Sequence, residues 1–314
     1  MRILFAGTAE IAVPTLRALS ECCTVGAVLT NTDKPGARGK ALLPSPVKQE
    51  ALRLGLPVLQ FDHLGSEARN MVQRSGCDTL VCFAYGRLFG PKFLSLFSGE
   101  KLNIHPSLLP LLRGPSPIQG AILSQARESG ISIQRIAAQM DSGDLLAVRS
   151  FSLQGDETSE SLTAFVSEAA ADLAVEAFTA LQSGSARFVP QQGEATYTRL
   201  LDPAMGELDF SQSAASLHAQ VRAMYPWPKA RTVWKGQVLF LTGVQGNFAQ
   251  DGSDGEAMQA PVGTVVAKQK GKGIAIATGS GLLWVTRLQL DTRKEMDYLS
   301  FLNGNQDFLG SKVG

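Results

Sequence analysis

Three unbroken apolar runs constrain this chain more than anything else in it. Arg2 to Gly7 (RILFAG), Thr24 to Thr30 (TVGAVLT) and Asp78 to Ala84 (DTLVCFA) show no polar alternation, which is the pattern of strands covered on both faces in a parallel sheet. Between the first two, Ile11 to Leu19 has helical spacing, with Pro14 in the first turn where its missing N–H costs nothing. Strand, turn at Gly7-Thr8 and helix open a Rossmann-like unit, so the expected class is α/β with a mostly parallel sheet. Only Gly7 precedes the helix. The three-glycine dinucleotide fingerprint is absent, and a nicotinamide site loses its main support.

The stretch from Asn31 to Lys48 (NTDKPGARGKALLPSPVK) is unusual for its length, its glycines and its basic residues Lys34, Arg38 and Lys40. Two roles fit it: a solvated surface loop, or a grip on the phosphates of a large anionic substrate. It closes with Ser45 as N-cap and Pro46 as first residue of a helix running to Leu54. A short strand at Pro57 to Gln60 and a polar helix over Leu64 to Gln73 follow. Beyond the third apolar run lies the loop Tyr85-Gly86-Arg87-Leu88-Phe89-Gly90-Pro91.

Lys101 to His105 has the length of a strand, and Pro106, Ser107 and Pro110 stop it. Asn103 and His105 are two positions apart and share one face of that strand, at the carboxyl end where open α/β sheets bind ligands. Further on, Met140-Asp141-Ser142-Gly143-Asp144 is a turn that fixes a carboxylate, the charge and orientation partner that a working imidazole needs. Ser116 and Pro117 begin a helix expected to end at Gly130. Strands at Ile131 to Ile136 and Leu145 to Leu153 flank the Asp141 turn. Thr158 or Ser159 caps a long helix with Leu162, Phe165, Val166, Ala169 and Leu173 on one face.

From Gln182 to Met205 the composition turns to Ser, Gly, Gln and Pro, which reads as a linker. The division expected is a domain over residues 1–183, a linker over 184–205 carrying Thr196-Tyr197, and a second domain over 206–314. In that last part a helix from Ala214 to Met224 precedes evenly spaced strands with Gly-rich turns. Their spacing suggests a small OB-like β-barrel, with Asn247 to Ala260 as a loop between two strands.

A net charge of +1 excludes strong non-specific attraction to nucleic acid, so an RNA contact must come from a local basic cluster. Arg222, Lys229, Arg231, Lys235, Lys268, Lys270 and Lys272 make one such cluster, as a solvated face or as part of an RNA path. Cys22, Cys23, Cys77 and Cys82 lack framework or metal spacing, and His63, His105 and His218 are scattered. No metal is expected. The N-terminus is too short for a signal segment and no apolar run reaches spanning length, so no membrane association and a cytoplasmic location are expected.

Asn103-Ile104-His105-Pro106-Ser107-Leu108-Leu109-Pro110, followed by Met140-Asp141-Ser142-Gly143-Asp144, resembles the folate-dependent formyltransferases, whose catalytic trio is Asn, His and Asp. The Asp33-Lys34-Pro35 to Lys48 insertion, Tyr225-Pro226-Trp227-Pro228 and Ala277 to Leu283 are similar to the methionyl-tRNA formyltransferases, so the likeness spans nearly the whole chain.

The resemblance implies 10-formyltetrahydrofolate as co-substrate and initiator methionyl-tRNA as partner, with no obligate protein partner. It implies Asn103, His105 and Asp141 as catalytic residues, and Ser107, Leu108, Leu109 and Pro110 along the folate. Arg87, Leu88 and Phe89 would make a wall for the pterin ring, while Lys34, Arg38 and Lys40 would meet the acceptor arm. Two departures stand out. The Met-Asp-x-Gly-x-Asp pattern common in that family reads Ile136-Ala137-Ala138-Gln139-Met140-Asp141 here, and the Lys usual after the Thr-Tyr motif is Leu200. A glycinamide-ribonucleotide formyltransferase would end soon after the long helix. A sugar-nucleotide formyltransferase would lack the Thr32 to Lys48 loop, and a non-catalytic RNA-binding protein on the same fold would have lost one of the trio.

Overall fold

The first apolar run is β1 (Arg2–Gly7), with Ile3 to Ala6 wholly inaccessible, in a computed structural model that describes residues 1–36, 42–246 and 260–314. Around it follow α1 (Val13–Cys22), β2 (Thr24–Thr30), β3 (Lys34–Pro35), β4 (Leu42–Leu43), α2 (Pro46–Arg53), β5 (Val58–Gln60) and α3 (Ser66–Arg74). Next come β6 (Thr79–Phe83), α4 (Pro91–Leu94), β7 (Lys101–His105), α5 (Pro117–Leu123), β8 (Glu128–Arg135), β9 (Leu145–Ser152) and α6 (Ser159–Ser183). The strands form one seven-stranded sheet in the order β5-β2-β1-β6-β7-β8-β9. From β5 through β7 every pairing is parallel, and β8 joins β7 antiparallel.

The chain leaves β1 toward β2 and β5, then returns to β1's other side as β6. That reversal opens a crevice at the carboxyl ends of the strands. Polar ties hold it: Thr8 Oγ1 and Asn31 Nδ2 both donate to the Tyr85 carbonyl, at 3.1 and 2.9 Å. As expected, Ser45 caps α2, its hydroxyl accepting from the Lys48 N–H at 3.0 Å.

Two helical expectations need correction. The helix begun at Pro117 stops at Leu123, where Gln125 takes a left-handed turn (φ 54°), and Gly130 lies inside β8 instead of ending a helix. A Cβ at Gly130 would collide with the Leu108 side chain, which is why glycine suits that strand position. On α6, Phe165 is 53 % exposed and meets Phe151 edge-on; the buried stripe is Leu162, Val166, Ala170, Leu173, Ala174, Ala177 and Phe178.

The described residues form two compact units. The first is Met1–Pro117, Ser129–Phe151 and Thr163–Thr198; the second is Ile118–Glu128, Ser152–Leu162 and Arg199–Gly314. The second contains α7 (Ala214–Met224), β10 (Ala230–Trp234), β11 (Gln237–Gln245), β12 (Val265–Gln269), β13 (Gly273–Ala277), β14 (Leu282–Leu290), β15 (Met296–Asp297) and α8 (Tyr298–Gly304). Its antiparallel sheet runs β10-β11-β14-β13-β12, with β15 on β14.

Residues 310–314 join the two edges of that sheet. Gly310 N–H donates to Val265 O (2.8 Å), Val265 N–H to Ser311 O (2.9 Å) and Gly314 N–H to Val233 O (3.0 Å), while Trp234 Nε1 donates to Ser311 Oγ (2.9 Å). The sheet is thereby closed into the small barrel that the strand spacing predicts. Phe308 plugs it, edge-on to Trp234 and Phe301 with centroids 5.1 Å away in each case, geometry worth about 0.5–1.5 kcal/mol per pair beyond area burial.

Lys34 sits on β3, opposite Leu43, and is exposed. Arg38 and Lys40 lie outside the described residues, as do residues 247–259 of the loop expected from Asn247 to Ala260. Arg222, counted with the basic cluster, is buried: its Nε donates to His218 Nδ1 (3.1 Å) and its Nη1 to the Glu157 carbonyl (2.8 Å). It holds α7 in place and belongs to no solvated face.

Candidate active site

Period-two geometry puts Asn103 and His105 on one face of β7, while Leu102 and Ile104 are fully or almost fully buried on the other. The antiparallel register sets Asn103 opposite Gln134 and His105 opposite Ser132 on β8. Gln134 therefore faces the same side as Asn103. Asp141 arrives on the turn between β8 and β9 with φ 52°, a left-handed conformation that Asp tolerates better than most residues.

The carboxylate of Asp141 is held at both oxygens. Oδ1 accepts from Asn103 Nδ2 (3.3 Å) and Gln134 Nε2 (3.0 Å); Oδ2 accepts from the Gly114 N–H (2.8 Å) and lies 3.7 Å from His105 Nδ1. The other ring nitrogen, His105 Nε2, is 2.9 Å from the Leu112 carbonyl. A carbonyl only accepts, so Nε2 carries the proton in every state that keeps this bond. Nδ1, on the Asp141 side, is then the nitrogen that gains or loses a proton.

Burial holds the His105 imidazole below its ordinary pKa, and the Asp141 charge and the Leu112 carbonyl pull it partly back. The ring is thus neutral at rest, beside a carboxylate able to steady it if it takes a proton. Cys82, which pairs with Asn103 in the parallel register, has its thiol pushed up to about 12, chiefly by burial, and is no nucleophile at neutral pH.

Ser107, Leu109 and Pro110 are buried and Leu108 is half-buried. Ser107 Oγ donates to Leu111 O (2.6 Å), and Ser132 Oγ donates to Ser107 O (2.7 Å). These contacts fix the bend after β7. In the loop after β6, Arg87 Nη1 donates to the carbonyls of Phe61 (2.8 Å) and Asp62 (2.7 Å), and Phe89 stacks between Tyr85 and Phe93 at 5.4 and 5.3 Å. Leu88 alone of the three projects outward, 78 % exposed. Lys34 is carried on β3, which pairs antiparallel with β4.

Several residues around the trio escaped the sequence. Gln134 left a signal, a long amide placed two residues from Ser132 among isoleucines. Arg113, Gln191, Thr196 and Thr198 left none, because the segment carrying the last three returns to the site from far along the chain. Arg113 Nη2 donates to Gln191 Oε1 (2.7 Å), and Gln191 Nε2 donates to the backbone oxygens of Asp141 (2.9 Å) and Gly143 (2.8 Å). Among the described residues no group of three or more His, Cys, Asp or Glu side chains could hold a metal ion, and no helix is long and apolar enough to cross a membrane.

Residues 1–178 match the formyl transferase family and residues 200–306 the formyl transferase C-terminal domain. The chain is 37 % identical to the methionyl-tRNA formyltransferase of Borrelia turicatae, over 99 % of both chains. It is equally identical, 37 % over 100 % of both chains, to the methionyl-tRNA formyltransferase of Lachnospira eligens. Among solved structures, HypX from Aquifex aeolicus in complex with tetrahydrofolic acid superposes with a TM-score of 0.64 at 18 % identity, covering 98 % of this chain and 48 % of that one, a likeness of fold.

Proposed function

The chain belongs to the formyl transferase family, and on that premise we propose that it moves the formyl group of 10-formyltetrahydrofolate to the α-amino group of methionyl initiator tRNA. The observation that carries the proposal is the convergence of the Asn103 amide, the His105 imidazole and the Asp141 carboxylate, with His105 Nδ1 3.7 Å from Asp141 Oδ2. The full-length relatives named methionyl-tRNA formyltransferase supply the choice of acceptor.

The donor set fits a formyl carbonyl. Negative charge develops on the formyl oxygen as an amine attacks its carbon, and Asn103 Nδ2 has one N–H engaged by Asp141 and a second to offer. His105 Nδ1 takes the proton released by the attacking nitrogen and becomes a donor toward the same oxygen. Asp141 steadies the resulting cation through Oδ2, and the proton then passes to the departing nitrogen. When bound, the folate contributes the activated formyl group and the nitrogen that leaves with the proton. A catalytic donor of this kind is worth about 3 kcal/mol.

Lys34, Arg38 and Lys40 are assigned to phosphates of the acceptor arm, and Ser107 to Pro110, with Arg87, Leu88 and Phe89, to the folate. Incubation with 10-formyltetrahydrofolate and a panel of charged initiator tRNA, an amino-sugar nucleotide and glycinamide ribonucleotide tests the acceptor. Formylation of the methionine amine is expected; preferential formylation of either small acceptor, or of none, contradicts it.

A further inference from the structure

We propose that residues 189–198 form a positioning strap for formyl transfer, with Gln191 and Thr196 acting through Asp141 and His105 without touching substrate. The proposal rests on the function assigned above and deepens it. Two of the groups that orient the trio from outside, the Leu112 carbonyl on His105 Nε2 and the Gly114 N–H on Asp141 Oδ2, belong to one short segment, Leu112 to Gly114. Nothing regular holds that segment: it lies between β7 and α5, and Leu112 has φ 57°. A leucine in the left-handed region is strained, and such a conformation persists only when its surroundings dictate it.

The strap is what dictates it. Thr196 Oγ1 accepts from the Leu112 N–H at 2.8 Å, Thr196 O accepts from the Arg113 N–H at 2.9 Å, and the Thr198 N–H donates to Arg113 O at 2.7 Å. Both polar groups of the Arg113 backbone and the N–H of Leu112 are therefore satisfied by the strap, leaving the Leu112 carbonyl aimed at the imidazole. The strap's upstream end is anchored as well, since Val189 and Leu145 exchange two backbone hydrogen bonds of 2.9 and 2.8 Å at the start of β9.

From that anchor Gln191 reaches the other side of the trio. Its Nε2 spans the carbonyls of Asp141 and Gly143, fixing the turn that aims the carboxylate. Arg113 sets which way the amide points: the buried guanidinium donates only, so Gln191 must present Oε1 to it and its N–H groups to the carbonyls. Arg113 is in this way the keystone between the two halves of the strap. Residue types follow from these duties, an amide at 191 because one end accepts and the other donates, and a hydroxyl at 196 because an amide N–H must be received.

The test compares wild type, Gln191→Leu, Thr196→Val and Thr196→Ser. Two quantities are measured: steady-state formyl transfer per folded molecule, and the tautomer of the His105 ring by 15N NMR without substrate. Thr196→Val and Gln191→Leu are expected to lower kcat about tenfold or more, with both KM values within about twofold, since misorientation of a catalytic pair costs rate before it costs binding. Thr196→Ser restores kcat. The NMR signature expected is a single Nε2–H tautomer in wild type and Thr196→Ser, and a mixture in Thr196→Val.

Active wild type together with unchanged kcat and an unchanged tautomer in both disruptive variants overturns the strap. Wild type that formylates no acceptor, while the tautomer still shifts in Thr196→Val, overturns the functional assignment and supports the strap. Should Thr196→Val fail to fold, Gln191→Leu decides by the same rate and KM comparison.

Discussion

His105 Nδ1 stands 3.7 Å from Asp141 Oδ2, beyond a hydrogen bond and within reach of a charge. With Nε2 committed to the Leu112 carbonyl, that gap is where a proton can be accepted without first breaking a bond. The carboxylate stays fixed meanwhile, because three donors other than His105 hold it.

Those three donors make Asp141→Asn a severe change. Oδ1 faces the amides of Asn103 and Gln134 and Oδ2 faces the Gly114 N–H, so either orientation of an Asn side chain sets its NH2 against a donor. An unsatisfied buried donor costs about 1–3 kcal/mol, and the cation on His105 loses its partner as well. Equilibrium urea unfolding is expected to show a loss of that size and the single-turnover rate a drop of at least about a hundredfold; equal stability with near-wild-type rate would contradict the assignment.

Gly114→Ala tests the backbone donor to Asp141. Gly114 has φ 107°, which L side chains rarely adopt, and an added Cβ would lie 2.6 Å from the Thr198 carbonyl. Expected are a destabilisation of about 1–3 kcal/mol and a fall in kcat larger than any rise in KM. A rise in KM alone would place Gly114 against substrate instead.

The buried His218 predicts a pH dependence of stability. Burial, then the neighbouring Arg222 charge, lowers its pKa from the ordinary 6.5 to about 4. The unfolded chain therefore binds more protons between those two values, and stability present above pH 6.5 is lost as pH falls toward 4. His105, also lowered, adds in the same direction. Urea titrations of His218→Gln, which keeps an acceptor for Arg222, should show a shallower fall over that window; an unchanged slope would remove His218 from the account.

Lys34 offers a test of the proposed acceptor-arm contact. It is exposed on β3, and Lys34→Ala is expected to raise the KM for charged tRNA several-fold, leave folate affinity alone and reduce the salt dependence of tRNA binding by about one ion. Arg38→Ala, at a position outside the described residues, is expected to act likewise. A change confined to folate affinity would reassign the loop.

Much of this is legible in the sequence, for local reasons. Continuous apolar runs announced the parallel sheet, and the two-residue spacing of Asn103 and His105 placed them on one face. Asp141 is picked out by its turn and by family likeness. Gln134 was legible in principle through strand alternation. Where the sequence misled, a long-range contact decided the outcome: Gly130 belongs to a strand because Leu108 packs where its side chain would be, and Phe165 turns outward to meet Phe151. The stretch around Gln191 and Thr196 has the composition of a linker. Its Gln and Thr acquire a role only when the chain returns to Arg113, which no local pattern encodes.

The most direct measurement is single-turnover formyl transfer to methionyl initiator tRNA by wild type and His105→Ala, with tRNA binding determined on the same samples. A rate lower by about two to three orders of magnitude with tRNA affinity retained is the predicted result. Rate and affinity lost in equal measure would make His105 a structural residue, and an unchanged rate would remove it from the chemistry.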